Sequence, residues 1–206
     1  MAGVEKEIKV AVFDLNGTLY NEKSKDEFYK FICKKRPQKI ADIFQLAYYH
    51  VLGKLHLINQ TEFKENFFNY LDNIPPAQVT AYAEEFWREE YPEHFNAELK
   101  ARLDRFKEQG VELFCATGGL ELYVEPLFKL YPVDGFAGTR VKYVDNTYLV
   151  EGDACKADEK LRRIAQHYGN RPYRIIEAYS DSKEDILDKA DKSFLVKKGK
   201  LIPYKS

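Results

Sequence analysis

Three aspartates, an asparagine, a threonine set before two glycines, and a lysine ahead of a helix carry the reactive chemistry of this chain. Asp14 follows the apolar run Val10-Ala11-Val12-Phe13, which reads as a strand buried on both faces of a parallel sheet. Such a strand delivers its carboxylate to the sheet's C-terminal edge, where open α/β folds place their ligands. Asn16 stands two residues further on, and Gly17-Thr18 allow a tight exit turn. A second strand-like run, Val111-Glu112-Leu113-Phe114-Cys115-Ala116, closes on Thr117-Gly118-Gly119. A hydroxyl and the backbone N–H groups exposed at glycines are the neutral donors that a phosphoryl group needs at short range. A third run, Arg174 to Ser180, ends in Asp181 and is followed by Asp185. Four residues apart, those two carboxylates share a face if a helical turn begins there. Gathering Asp14, Asp181 and Asp185 concentrates negative charge, which requires a cation or protonation. Magnesium suits the set, because it takes oxygen ligands from one or two carboxylates plus water and phosphate.

Positioning these groups requires a layered α/β core. Strands near residues 8–14, 111–117, 134–141, 174–180 and 193–196 alternate with helical segments, which implies a mostly parallel sheet flanked by helices. Between Leu19 and about Pro92 the periodicity changes. Ile40, Ile43, Phe44, Ala47 and Val51 follow helical spacing, as do Phe63, Phe67, Tyr70 and Leu71, and then Val79, Tyr82, Ala83 and Phe86. Pro75-Pro76 breaks this insert internally. Residues 1–19 and 93–206 are therefore expected to form the core and residues 20–92 a helical cap. Phe95, Leu99, Leu103 and Phe106, stopped by Gly110, form the helix that feeds the second strand. Leu161, Ile164, Ala165 and Tyr168 define a later helix ended by Gly169, with Lys156 and Lys160 near its start.

Asp-x-Asp-Gly-Thr after a buried strand is the signature of the haloacid dehalogenase (HAD) superfamily, mostly magnesium-dependent phosphatases, and this chain resembles it with Asn16 in place of the second Asp. The resemblance implies that Asp14 is a nucleophile forming an aspartyl phosphate. It implies that Thr117 and Gly118 bind phosphate, and that a lysine neutralises the aspartate and phosphate charge, with Lys160 in the usual place and Lys156 the fallback. It further implies magnesium held by the Asp14 and Asp181 side chains and the Asn16 backbone carbonyl, with Asp185 supporting a metal-bound water or the lysine. A helical insert directly after the first motif is similar to the subclass that includes phosphoserine phosphatases, whose Ser-Gly-Gly is echoed by Thr117-Gly118-Gly119 and whose second Gly-Thr-like pair is echoed by Gly138-Thr139. The run Tyr179 to Lys183 and the Cys ahead of the lysine also resemble the phosphatidylglycerophosphatase C group, whose cap carries a membrane segment. Here the matching stretch is interrupted by Gln45, His50, Lys54 and His56, which limits it to lying on a membrane surface. Response-regulator receivers share an Asp, a magnesium ion and a Lys, but their motif order differs.

Asn16 bears on the mechanism. Asn cannot exchange a proton near neutral pH, whereas a positioned acid–base group contributes roughly 10² to 10⁴ in rate. Glu22 is the nearest candidate substitute, competing with a solvated hinge charge. The expected function is a phosphomonoester hydrolase slowed at proton transfer. The alternative is a noncatalytic or regulatory phosphometabolite-binding protein of the same fold.

Composition narrows the remaining classes. The net charge of −1 over 206 residues offers no electrostatic footprint for nucleic acid. Cys33, Cys115 and Cys155 lack zinc-site spacing and suit small thiols in a reducing cytoplasm. The charged stretch from Met1 to Val10 lacks a secretory h-region, and no apolar run approaches the ~18 residues of a spanning helix. A soluble cytoplasmic enzyme acting on a small phosphate ester is expected, its oligomeric state open. His94 and His167 are expected at the surface.

Overall fold

The computed structural model describes residues 6–205, without the side chains of Ile43, Gln45, Leu46, Gln60 and Lys64. The charged stretch at residues 1–5 and the expected role of Ile43 and Gln45 in the cap lie outside the described residues. The chain runs β1 (Ile8–Phe13), α1 (Ser24–Lys35), α2 (Ile43–Lys54), α3 (Gln60–Phe67), α4 (Pro76–Glu90) and α5 (Ala97–Glu108). It continues through β2 (Glu112–Leu120), the single turn α6 (Glu121–Val124), β3 (Gly135–Thr139), β4 (Val141–Val144) and β5 (Thr147–Val150). The last elements are α7 (Asp158–Tyr168), β6 (Tyr173–Ser180), α8 (Asp185–Lys189), β7 (Lys192–Lys197) and β8 (Lys200–Lys205).

Six strands form one sheet in the order β3-β2-β1-β6-β7-β8, parallel except for β8. Val10 through Phe13 are fully buried because β1 is central and covered on both faces. The chain winds from β1 toward β3 and then re-enters on the other side of β1 as β6. That reversal opens a crevice beyond the carboxyl ends of β1 and β6, where Asp14 and Asp181 stand. The strands expected from sequence are all present. The run expected near 134–141 instead breaks at Arg140 into β3 and a separate hairpin, β4 with β5, turned at Asp145 and Asn146, both at positive φ. Asp and Asn are the residues that tolerate this conformation most readily in such turns.

The α-helices α1 to α4, with short 3-10 helices at Pro37–Asp42 and Phe68–Leu71, lie in the segment expected to be a cap. Its entry and exit strands cross as a neck: Tyr20 bridges Phe95, the Asn21 N–H donates to the His94 carbonyl at 2.9 Å, and the Asn96 N–H donates to the Leu19 carbonyl at 2.8 Å. An aromatic cluster joins the insert to the core. Phe28 stacks on Tyr123 with ring centroids 4.9 Å apart, Tyr20 meets Trp87 edge-on at 5.3 Å, and the Trp87 indole donates to the Tyr123 carbonyl at 2.6 Å. The hairpin braces the far side, with the Thr147 hydroxyl on Asp72 and the Tyr148 hydroxyl on the Ile74 carbonyl.

The helical faces expected in α3 and α4 are buried at Phe67, Val79, Ala83 and Phe86, as are Tyr70 and Leu71 in the short helix after α3. The described side chains of the face expected along residues 40–51 are not. Ile40, Phe44 and Val51 are 55%, 82% and 52% exposed, because α2 packs chiefly on α3 and the short helix before it rather than on the core. Helical spacing identified the element but not which side had a partner.

Candidate functional site

Asp14 leaves β1 with its N–H bonded to the Tyr179 carbonyl of β6 at 2.9 Å, so its side chain emerges at the crevice. It is 7% exposed and lines a cavity of about 290 Å³ together with Asn16, Gly118, Gly119, Lys160, Asp181 and Glu184. Lys160, only 1% exposed, enters from the first turn of α7, and its Nζ stands 3.2 Å from Asp14 Oδ1 and 2.6 Å from Glu184 Oε2. Burial pushes the Lys160 ammonium down, and the two facing carboxylates outweigh this and raise it above its ordinary value. The lysine therefore stays charged. Lys156 also lines the cavity, at its exposed mouth, where burial and then the Lys160 charge lower its affinity for a proton. Of the two candidate lysines, Lys160 is the one touching Asp14.

Asp181 follows β6, and burial and then the Asp14 charge push its carboxyl upward. Gly17 makes room for it. With φ of +68°, Gly17 adopts a conformation few side chains accept, and a Cβ there would sit 2.8 Å from Asp181 Oδ2.

Asn16 is held at both ends of its amide. Oδ1 accepts the Ser24 N–H at 2.8 Å, and Nδ2 donates to Thr117 Oγ1 at 3.3 Å. The Ser24 contact assigns the oxygen, since a backbone N–H can only donate. Thr117 is fully buried beneath the cavity rather than in its lining, and its Oγ1 also accepts the Gly119 N–H at 3.2 Å. Its neighbours Gly118 and Gly119 form the wall. Gly119 is required sterically, because a Cβ there would lie 2.8 Å from Val124 Cγ2. Thr139 ties the loops together, donating to the Gly118 carbonyl at 3.2 Å and accepting the Cys155 N–H at 3.1 Å.

One expectation is corrected, and of the two readings of Glu22 the solvated hinge charge is the one met. Asp185 is exposed at the start of α8 and outside the cavity lining. Since α8 begins only at residue 185, the segment 181–184 is not helical and the i,i+4 phase between Asp181 and Asp185 is lost. Glu184, in extended conformation before the helix, turns inward and takes the Lys160 contact, with Ser180 Oγ donating to it at 3.2 Å. Glu22 is exposed and absent from the lining, its carbonyl accepting the Gly17 N–H, so it stands as a solvated hinge charge.

Sequence reasoning missed Glu184, Ser182, Lys23, Lys25, Phe63 and Tyr123, all of which line the cavity. An acid one residue from the expected one signalled Glu184, but the cap residues carry no local mark of where the cap folds back.

Among the described residues no group of three or more His, Cys, Asp or Glu side chains forms a metal cage. The donors present still fit magnesium, which uses few protein ligands. Asp14 Oδ1 is buried without a hydrogen-bond partner despite the nearby ammonium, and the space at Gly17 is reserved for the Asp181 carboxylate.

A buried aspartate at the switch point of a parallel sheet shares its crevice with a buried lysine and a second aspartate, in an α/β fold with a helical insert. The family model for haloacid dehalogenase-like hydrolases matches residues 11–187, and the chain belongs to that family. Its fold is similar to that of a protein of unknown function from Bordetella pertussis Tohama I, at 18% identity and a TM-score of 0.78, covering 92% of this chain and 90% of that one. A phosphoserine phosphatase from T. onnurineus matches at 18% identity and a TM-score of 0.61, covering 98% and 90%. A phosphoserine phosphohydrolase-like protein from Francisella tularensis subsp. tularensis SCHU S4 matches at 18% identity and a TM-score of 0.59, covering 92% and 87%. No curated protein matches the chain by sequence. No helix among the described residues is long and apolar enough to cross a membrane.

Proposed function

We propose that this chain is a magnesium-dependent phosphomonoester hydrolase that works through an aspartyl phosphate on Asp14, with residues 20–92 capping a core of residues 1–19 and 93–206, and that Asn16 slows it at proton transfer. The observation that carries this reading is the buried Asp14 carboxylate opening into a cavity with the Lys160 ammonium 3.2 Å away and Asp181 in the same wall.

An Asp14 oxygen attacks phosphorus as the bond from phosphorus to the ester oxygen breaks. Lys160 offsets charge on Asp14 and on the transferring group in a water-poor site, where such preorganised charge acts most strongly. The Gly118-Gly119 wall borders the space where the phosphate would sit, and Thr117 holds that wall by accepting the Gly119 N–H and the Asn16 amide. The Asp14 and Asp181 carboxylates and the Asn16 backbone carbonyl would hold magnesium, which when bound would supply positive charge beside the substrate phosphate. Glu184 keeps Lys160 aimed at Asp14. The departing oxygen takes its proton from solvent, since the Asn16 amide can donate a hydrogen bond but not a proton. Water then attacks phosphorus, releasing phosphate and regenerating the Asp14 carboxylate.

This scheme favours substrates whose leaving group needs little protonation. Phosphate release from an aryl phosphate, with and without magnesium and in parallel with Asn16→Asp, tests it. Magnesium-dependent release by both forms is expected. If neither form turns over, the chain is instead a phosphometabolite-binding protein of the same fold.

A further inference from the structure

With the magnesium of the phosphatase reading counted, the four lysines and three carboxylates of the lining leave more positive charge than one phosphate group offsets. Lys160 lies between Asp14 and Glu184 and is committed to them. Three further lysines, Lys23, Lys25 and Lys156, line the same space, against Asp181 as the one remaining carboxylate of the lining. Lys25 is partly engaged, 2.8 Å from Asp26 and over the Phe67 ring at 4.1 Å. Lys23 and Lys156 form no ion pair among the described residues. Lys23 and Lys25 come from the start of α1 and Lys156 from the loop before α7, so the cations reach the cavity from cap and core together. Phe63 and Tyr123 supply the uncharged wall.

Resting on the phosphatase reading, we infer that the substrate is a compact phosphate monoester bearing a second anionic group and no ammonium group, with Lys23, Lys25 and Lys156 as the residues that select it. Like charges placed opposite one another in a cleft repel, and opposite charges in a partly enclosed site attract more than they do on open surface. A carboxylate on the leaving part of the ester completes the charge balance. An ammonium in the same place faces the three lysines. The cavity of about 290 Å³ is at the small end of ligand sites and suits a short organic acid rather than a nucleotide.

A matched series of phenyl phosphates carrying a meta carboxylate, carboxamide or aminomethyl group tests this, since the phosphate and the shape stay nearly constant while the second charge changes sign. With magnesium present, kcat/KM is expected to be about tenfold higher for the carboxylate than for the carboxamide and about tenfold lower for the aminomethyl ester, chiefly through KM. The carboxylate-to-carboxamide ratio is expected to shrink severalfold in 0.5 M salt and in Lys23→Ala, and to fall further in Lys23→Glu. The corresponding benzylphosphonates, which cannot be hydrolysed, should raise the melting temperature in the same order, a reading that does not need turnover. Equal kcat/KM values with equal thermal shifts, or a charge preference untouched by both Lys23 substitutions, overturns the inference and leaves the phosphatase reading standing. Absence of turnover with the charge-ordered thermal shift retained overturns the phosphatase reading and leaves the anion-selective site.

Discussion

The Ser24 N–H lies 2.8 Å from Asn16 Oδ1, and this contact leaves the Asn16 amide nitrogen to donate to Thr117 Oγ1. Ser24 opens the first cap helix and its hydroxyl is 3.1 Å from that of Tyr123, so residue 16 is positioned by the cap as much as by its own strand. The orientation would serve a carboxylate equally, with one oxygen on the Ser24 N–H and the other accepting from the Thr117 hydroxyl. Asn16→Asp is therefore expected to raise kcat on alkyl phosphates by roughly 10² to 10⁴ and on aryl phosphates by much less. The ratio of the two increases, measured as phosphate release at neutral pH, is the diagnostic quantity. Equal increases would mean that residue 16 acts on binding rather than on proton transfer.

Lys160→Met leaves Asp14 and Glu184 facing the cavity without their shared cation. Loss of roughly 10² to 10³ in kcat is expected, the scale of removing one preorganised charge-stabilising group. Glu184→Gln keeps a hydrogen-bond acceptor for Lys160 and is expected to cost about tenfold. Single-turnover phosphate release compares the two, and a larger effect from Glu184→Gln would reverse the assigned roles.

Asp181 and Asp185 separate the site geometry from the simple spacing argument. Asp181→Asn is expected to raise the magnesium concentration for half-maximal activity by at least tenfold and to reduce the melting-temperature increase that magnesium produces. Asp185→Asn should leave both near the parent values, because Asp185 is exposed outside the cavity. Titrating magnesium against thermal unfolding gives the comparison without any substrate.

Glu177 lies behind the site, 8% exposed, in a two-pronged contact with Arg102 at 2.8 Å on each prong and in a hydrogen bond from the Tyr179 hydroxyl. It joins α5 to β6. Glu177→Ala strands the guanidinium, whose side chain is 32% exposed, so the cost falls below that of a fully buried pair. A loss of about 2 to 3 kcal/mol in unfolding free energy is expected by urea denaturation.

Two thiols, Cys115 and Cys155, respond to alkali through burial. Burial pushes Cys155 up to about 12 from an ordinary 9.0, and Cys115 is also raised by burial. The folded state keeps these protons while the unfolded state loses them, so their contribution to stability is full below pH 9.0, falls as pH rises from there, and for Cys155 is gone near 12. At pH 8 a thiol reagent should modify Cys33 rapidly and the other two only after denaturation. Rapid native labelling of Cys155 would indicate that the lysine loop opens.

The core half of the candidate site was readable in the linear chain because each part sits at the end of its own buried strand. An apolar run needs no partner to declare itself, so Asp14, the Thr117-Gly118-Gly119 turn and Asp181 could all be assigned to one sheet edge. The lysine required a choice between two positions one helical turn apart, and the helix start at Asp158 placed Lys160 inward. Asp185 was misassigned because spacing by four has meaning only inside a helix, and the helix begins one residue after Glu184.

By itself the sequence determined the layered α/β core, the run of helices inserted after its first strand and the acid at that strand's end, since hydrophobic period and residue type are local properties. Only the tertiary structure decided that Glu184 rather than Asp185 meets Lys160, that Ile40, Phe44 and Val51 stay exposed, and that Lys23, Lys25 and Phe63 line one cavity with Asp14. Those outcomes depend on where the cap folds back across the crevice, and contacts between segments far apart in the chain leave no periodic trace in either one.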